Sequence, residues 1–313
     1  METIEYKGWK NSIRLSNSDT EVVVLTDVGP RVIHFSKIGG PNVFNVIPDA
    51  VGPKGAEDWK PIGGHRLWCA PEVLPRSYYP ENVPVGSVRT SDLSVTVENP
   101  IESTTGVQKT LAVTLAAEGS AVRVEHTITN RNSWAITLAP WALSIVANGG
   151  KVVIPQEEFV AHANKLLPAR PLVLWNFTDL GDSRWRWGSK YISLTQDDAL
   201  AHPQKVGVYN TLKWAAHVTP TQAFIVRIVG DAVGPESLPD YGSNFETFTA
   251  GPFQELETLG PLKTLNPGES AVHVQHWFLA AESGIEDNDV DLDARLLPIV
   301  QQAESSTRSA FGE

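Results

Sequence analysis

Apolar and polar residues alternate in twos along most of this chain. Residues 21–26 read EVVVLT and residues 31–35 read RVIHF, and the Asp27-Val28-Gly29-Pro30 segment between them has turn composition. That pattern predicts a hairpin. Alternation resumes at 93–98 (LSVTVE), and 106–116 followed by 121–130 (AVRVEHTITN) predicts a second strand pair around Glu118-Gly119. Further strands are expected at 138–146, 151–154, 191–195, 205–208, 224–229, 246–249, 255–259 and 271–279. Short strands punctuated by Gly/Pro-rich turns predict an all-β protein, a large antiparallel β-sandwich with few short helices. Helical spacing occurs only near 291–303, where Pro298 interrupts it. Two long aromatic stretches, 49–85 and 159–188, lack either period and read as functional loops. No linker, charge block or repeat divides the chain, so residues 1–313 read as a single domain.

Composition narrows the partners. Of 313 residues, 42% are hydrophobic and 19% charged, enough for a large core. A net charge of −11, with Lys and Arg scattered singly, argues against nucleic acid or an anionic membrane as partner. Cys69 is the only cysteine, which excludes an internal disulfide and a cysteine-built zinc cluster. The opening residues carry no signal-peptide pattern, so a cytoplasmic location is expected. Ten tryptophans accompany a single methionine. Their flat apolar faces suit sugar stacking and a β-core equally.

The densest chemistry lies in Gly63-Gly64-His65-Arg66-Leu67-Trp68-Cys69-Ala70-Pro71-Glu72. Arg66 and Glu72 can hydrogen-bond hydroxyls, Trp68 can stack on a sugar face, and His65 can exchange a proton near neutrality. Tyr78, Tyr79, Glu81 and Asn82 extend this character. The alternative is a loop pinned by an Arg–Glu pair over a buried tryptophan. A second cluster runs from Tyr241 through Asn244 to Glu246 and continues in Gln254-Glu255-Leu256-Glu257-Thr258-Leu259. On a strand, Glu255 and Glu257 share a face with Cα atoms roughly 7 Å apart. Carboxylates on a concave sheet face suit general-base chemistry; an outward polar face is the alternative. His273 and His276, three apart on a strand, face opposite sides and read as structural rather than as metal ligands. The acidic run 286–293 lacks the glycine and distal Glu of a calcium loop and reads as a solvated face. The Trp185-Arg186-Trp187-Gly188 segment is either a stacking shelf or loop packing. No metal or other cofactor is expected.

Several segments carry a family resemblance. TDVGPRVIHFSKIGGPNVF resembles the first hairpin of the aldose 1-epimerase (galactose mutarotase) superfamily, and Pro61-Ile62-Gly63-Gly64 is similar to the glycine-rich start of the sugar site in hexose-6-phosphate mutarotase relatives. Leu256-Glu257-Thr258 is similar to the Leu-Glu-Thr of mutarotases, and Leu265-Asn266-Pro267-Gly268-Glu269 to their final turn. More closely, residues 25–279 resemble the DUF4380 family through GGHRLWCAPE, LAPWALS, WNFTDL with WGSKYISLTQD, and ELETLGPL.

The resemblance implies a galactose mutarotase-like supersandwich, a carbohydrate ligand and Glu257 as general base. Mutarotases carry a histidine after the central strand, where this chain has Leu138-Ala139-Pro140-Trp141-Ala142-Leu143. Ring opening needs an acid as well as a base, so either His65 supplies it from another loop or the site only binds. Arg66, Trp68, Glu72, Tyr79, Trp141, Asn244 and Glu255 are expected to hold the sugar. The expected activity is carbohydrate binding, with aldose 1-epimerase-like isomerisation on the same site. The alternatives are a non-catalytic sugar-binding or sensing protein, or an accessory to a sugar lyase or hydrolase. Only Arg66 and Arg76 lie in the candidate loop, which favours a neutral sugar over a phosphosugar.

Overall fold

Alternation in hydropathy becomes alternation in burial. Val107–Leu115 and Val122–Asn130 each bury every second side chain, as strands packed on one face must. The computed structural model describes residues 1–52, 58–282 and 284–312. Among these, two antiparallel sheets of 11 and 10 strands contain nearly all the regular structure. The first runs across Glu2–Tyr6, Trp9–Ser16, Thr20–Leu25, Arg31–Lys37, Gly64–Ala70, Ile136–Ile145, Gln254–Leu259, Phe245–Thr249, Gln204–Val208 and Leu172–Leu174, with Lys263–Leu265 paired to the far end of Ile136–Ile145. The second runs across Trp185–Trp187, Tyr191–Thr195, Lys151–Pro155, Trp214–Val218, Gln222–Val229, Ser270–Ala281, Val122–Asn130, Val107–Leu115, Ser94–Glu98 and Ser87–Thr90. The main core lies between them, joining Leu15, Val24, Phe35 and Leu67 of the first to Leu111, Val124, Phe224 and Trp277 of the second. The large antiparallel β-sandwich anticipated above is the fold.

The strands expected from alternation all form, most within one or two residues of the anticipated ends. Gly64–Ala70 was read as part of an irregular loop, yet it is a central strand of the first sheet. All seven of its residues are buried, so neither face had to be polar and no alternation marked it. Residues 53–57 of the same 49–85 stretch lie outside the described residues. In the 159–188 stretch, Leu172–Leu174 and Trp185–Trp187 are short edge strands. Trp185 and Trp187 stack on each other with centroids 4.9 Å apart, and their Nε1 atoms donate to Gln204 and to the Leu180 carbonyl. That segment is an edge strand whose two indoles pack on each other.

The C-terminal helix is longer than expected. A π-turn at Leu292–Leu296 leads into an α-helix at Leu297–Phe311, and Pro298 falls in the first turn of that α-helix. Helical backbone is continuous from Asp289, so the missing N–H of Pro298 interrupts the ladder, and the π-turn lies just before that interruption. Leu296, Ile299, Val300 and Ala303 cover Trp214, Ile225 and Phe278 on the outer face of the second sheet. The acidic run is tied down as well as solvated: Asp289 accepts from Arg186, Ser189 and Lys190, and Asp293 accepts from Tyr191. No described helix is long and apolar enough to cross a membrane.

A polar chain threads the core between the sheets. His126 Nδ1 lies 2.9 Å from the His273 carbonyl oxygen and must donate to it. His126 Nε2 is then the acceptor for His65 Nε2–H at 2.6 Å, and His65 Nδ1 accepts from the Ser144 hydroxyl at 2.8 Å. His273 Nε2 contacts Thr258 Oγ1 at 2.6 Å, and Thr258 also accepts from Gln275 Nε2. Burial keeps the rings neutral, pressing His65 well below its ordinary pKa, His126 to about 4 and His273 to about 3.

Two predictions follow from this core. Unfolding lets these histidines titrate near pH 6.5, so at these rings the unfolded chain binds more protons than the folded one below that pH. The rings therefore contribute stability above about pH 6.5 that is lost as pH falls toward 4, on the order of 3 kcal/mol for His126. Denaturant midpoints of wild type and His126→Gln at pH 7.5, 6, 5 and 4.5 test this: wild type should lose more stability than the variant over that range, and parallel profiles would contradict it. The second concerns Gly64, which has φ +72, where a Cβ would lie 2.3 Å from the Val32 carbonyl oxygen. Gly64→Ala should destabilise by about 2 kcal/mol or more, combining backbone strain with overpacking, as read from the same titration.

Candidate functional site

Cross-strand partners in a sheet share a face, so register alone identifies what gathers on the outer face of the first sheet. Arg66 pairs with Leu143, Leu143 with Glu257, and Glu257 with Glu246. Trp68 pairs with Trp141 and Trp141 with Leu259. Ile145 pairs with Glu255, Glu255 with Phe248, and Phe248 with Lys205. These three rows place an arginine, a lysine, three glutamates and two tryptophans on one surface, facing away from the intersheet core.

A cavity of about 310 Å³ opens over them. Trp59, Trp68, Tyr78 and Trp141 form one aromatic group, with neighbouring ring centroids 5.0–5.4 Å apart. Phe177, Phe248 and Phe253 form another, with Phe248 centred 6.4 Å from Phe177 and 5.9 Å from Phe253. Arg66, Leu143, Lys205, Glu255, Glu72 and Trp175 complete the lining.

Arg66 and Glu255 form a buried ion pair at 3.2 Å, and the guanidinium lies 4.4 Å from the centre of the Trp68 ring. Arg66 Nε and Nη1, Trp59 Nε1 and Trp68 Nε1 have no hydrogen-bond partner among the described residues. Burial pushes the Glu255 carboxyl up to about 7 despite the opposing pull of Arg66. Deeper in, Lys205 Nζ lies 2.8 Å from Glu246 and 3.0 Å from Glu257, between the Trp141 and Trp175 rings at 4.7 Å from each centre. Burial opposes its charge, but the two carboxylates outweigh it and raise the pKa, so Lys205 stays an ammonium. Glu246 is pushed well above the carboxylate range, first by burial and also by Glu257 and Asp240 nearby. Among the described residues no cluster of three or more His, Cys, Asp or Glu side chains is arranged to hold a metal ion.

Of the residues singled out from sequence, Arg66, Trp68, Glu72, Trp141 and Glu255 line this one cavity. The segment around Arg66 and the strand bearing Glu255 and Glu257 do meet. His65 does not join them. The strand pleat turns it to the opposite face, where it is fully buried against His126 and Ser144, so it cannot serve as an acid in the cleft. Glu257 shares the face of Glu255 but lies behind Trp141 and Lys205, accepting from Trp141 Nε1 at 2.8 Å and from Lys205 at 3.0 Å. Asn244 exchanges hydrogen bonds with the Asn210 backbone and lines a separate cavity with Tyr209 and Leu238. Tyr79 contacts the Ser103 amide at 3.5 Å, while its neighbour Tyr78 lines the cleft. Sequence reasoning missed Trp59, Trp175, Phe177, Lys205, Phe248 and Phe253 as lining. Only the aromatic density around Trp175 and Phe177 hinted at them.

No family model matches the chain, that of DUF4380 included, and no curated protein matches it in sequence. Solved structures do match in fold. A candidate aldose 1-epimerase from Klebsiella pneumoniae is 10% identical with a TM-score of 0.59, over 96% of this chain and 86% of that one. A galactose mutarotase-like protein from Lactobacillus casei is 14% identical with a TM-score of 0.52, over 86% of this chain and 100% of its own. A TPR-domain-containing protein from Parabacteroides distasonis is 16% identical with a TM-score of 0.58; the chain spans about half of it, 47%. At such identities the likeness extends to the fold and no further.

Lys205 is the counter-charge for two buried carboxyls, so Lys205→Met should destabilise the protein by about 3–5 kcal/mol. Adding Glu257→Gln to that variant should recover part of the loss, because one uncompensated charge is then removed. Denaturant titration of the three proteins reads both effects; equal stability of wild type and Lys205→Met would contradict the assignment.

Proposed function

We propose that the cleft over the first sheet binds a neutral carbohydrate. The observation that carries this reading is the Arg66–Glu255 pair at a cavity lined by the rings of Trp59, Trp68, Tyr78 and Trp141. Sugar hydroxyls supply donors for the Glu255 carboxylate. Aromatic rings offer faces to the C–H side of a pyranose. Each cation is already matched by carboxylates, which favours a ligand without charge. The fold likeness to galactose mutarotase-like proteins supports the same reading by analogy.

A second reading, isomerisation at the anomeric carbon, is favoured by one observation. Glu255 lines the cleft with a pKa near 7, so it can both take and return a proton at neutral pH. In that role Glu255 takes the anomeric hydroxyl proton as the C1–O5 bond opens and, as the carboxylic acid so formed, gives it to the ring oxygen, leaving the open-chain aldehyde and the carboxylate restored. Lys205, the ammonium in the cleft wall, would hydrogen-bond that oxygen as charge develops.

Calorimetry of the protein with a panel of aldoses, run from pH 6 to 9, tests the first reading. A hydroxyl donating to Glu255 binds its ionised form, so affinity should rise with pH through about 7 and level off above it. Below pH 7 it should fall toward tenfold per unit. Glu255→Gln should abolish this dependence. Binding by none of the panel would overturn the proposal. Polarimetry on freshly dissolved anomers tests the second reading: acceleration lost by roughly 10²–10⁴-fold in Glu255→Gln would support it, and no acceleration by wild type would remove it.

A further inference from the structure

The cleft is chemically two-sided. Arg66 and Phe248 stand on strands three apart in the first sheet, a separation of roughly 14 Å at about 4.8 Å per strand. Toward Arg66 the lining is rich in residues that hydrogen-bond, Arg66, Glu72, Tyr78 and Glu255. Toward Phe248 it is three phenyl rings, Phe248 in contact with both Phe177 and Phe253. Lys205 stands on that side too, but Glu246 and Glu257 hold its ammonium and the Trp141 and Trp175 rings flank it. Phe177 is 40% exposed, and Phe248 and Phe253 are half-buried. A phenyl ring offers no hydrogen bond, so hydroxyls pressed against this group would lose water without gaining partners.

On the reading that the cleft binds a carbohydrate, we infer that its ligand is a sugar bearing an apolar substituent, a glycoside with an aromatic or alkyl group at one end. The sugar occupies the Arg66–Glu255 side, and the substituent lies against Phe177, Phe248 and Phe253. A cavity of about 310 Å³ sits at the small end of ligand pockets, which fits one sugar ring with a short substituent. Burying a phenyl in place of a methyl group removes several more carbons from water, enough for a tenfold or greater gain in affinity.

Calorimetry with paired methyl and phenyl β-glycosides of glucose, galactose and mannose tests this. Within the pair of whichever sugar binds, the phenyl glycoside should bind at least tenfold more tightly than the methyl one. Phe248→Ala should reduce that ratio to near one while changing methyl-glycoside affinity less than about twofold. Phe177→Ser, at an exposed position outside any strand, should reduce the ratio without endangering the fold. Equal affinity within every pair, or a ratio unaffected by both substitutions, would overturn the inference and leave the carbohydrate reading standing. Binding by neither series would remove that reading and this inference with it.

Discussion

The cleft depends on how closely two backbones approach at Gly63 and Gly64. A Cβ at Gly63 would lie 2.2 Å from the Asn45 carbonyl oxygen, and one at Gly64 would lie 2.3 Å from that of Val32. Both residues have positive φ, which glycine alone adopts freely. Arg31 Nη1 holds the Gly63 carbonyl at 2.6 Å, and the Gly64 amide donates to Asn45. This contact fixes the phase of the strand that follows, and the phase decides which face each side chain takes. His65, Leu67 and Cys69 enter the core, while Arg66, Trp68 and Ala70 meet Trp141 and Leu143. A slip of one residue would exchange the two sets, burying a guanidinium among valines and turning a histidine into the cleft.

Charge around the cleft is neutralised in layers. Arg31 and Lys109 share Glu81, and Lys109 also pairs with Glu102, all nearly inaccessible. Burial presses Arg31 down to about 10, with Arg66 nearby adding to the pressure against the pull of Glu81. Above this network, Arg66 pairs with Glu255 and Lys205 with Glu246 and Glu257. Such ion pairs add little net stability but make loss of one partner costly. Their consequence for function is that the cleft carries little free charge despite a net −11 on the chain. Among the carboxyls lining it, Glu255 is poised to titrate near neutrality.

Aromatic residues serve two ends. Trp277 and Phe224 fill the core between the sheets. Trp59, Trp68 and Trp141 line the outer surface, where cations and indole donors accompany them. Composition alone left those two roles undivided, because an indole ring suits both.

What the sequence determined by itself was the strand architecture and the two segments that meet at the cleft. Alternation of polar and apolar residues is a local property of the sequence, and it marked Val107–Leu115, Val122–Asn130 and Gln254–Leu259 without reference to partners. Glycine pairs, clustered polar groups and spacing on a strand likewise brought Arg66 and Glu255 to notice. Tertiary structure decided the rest. Gly64–Ala70, buried on both faces, has no regular alternation and was legible only once both its neighbours were present. The choice between His65 and Arg66, adjacent in sequence, followed from the direction of the pleat. The choice between Glu255 and Glu257, alike in face and chemistry, followed from Trp141 and Lys205 covering one of them. Those coverings arise from register between strands more than fifty residues apart, and no local pattern encodes a register.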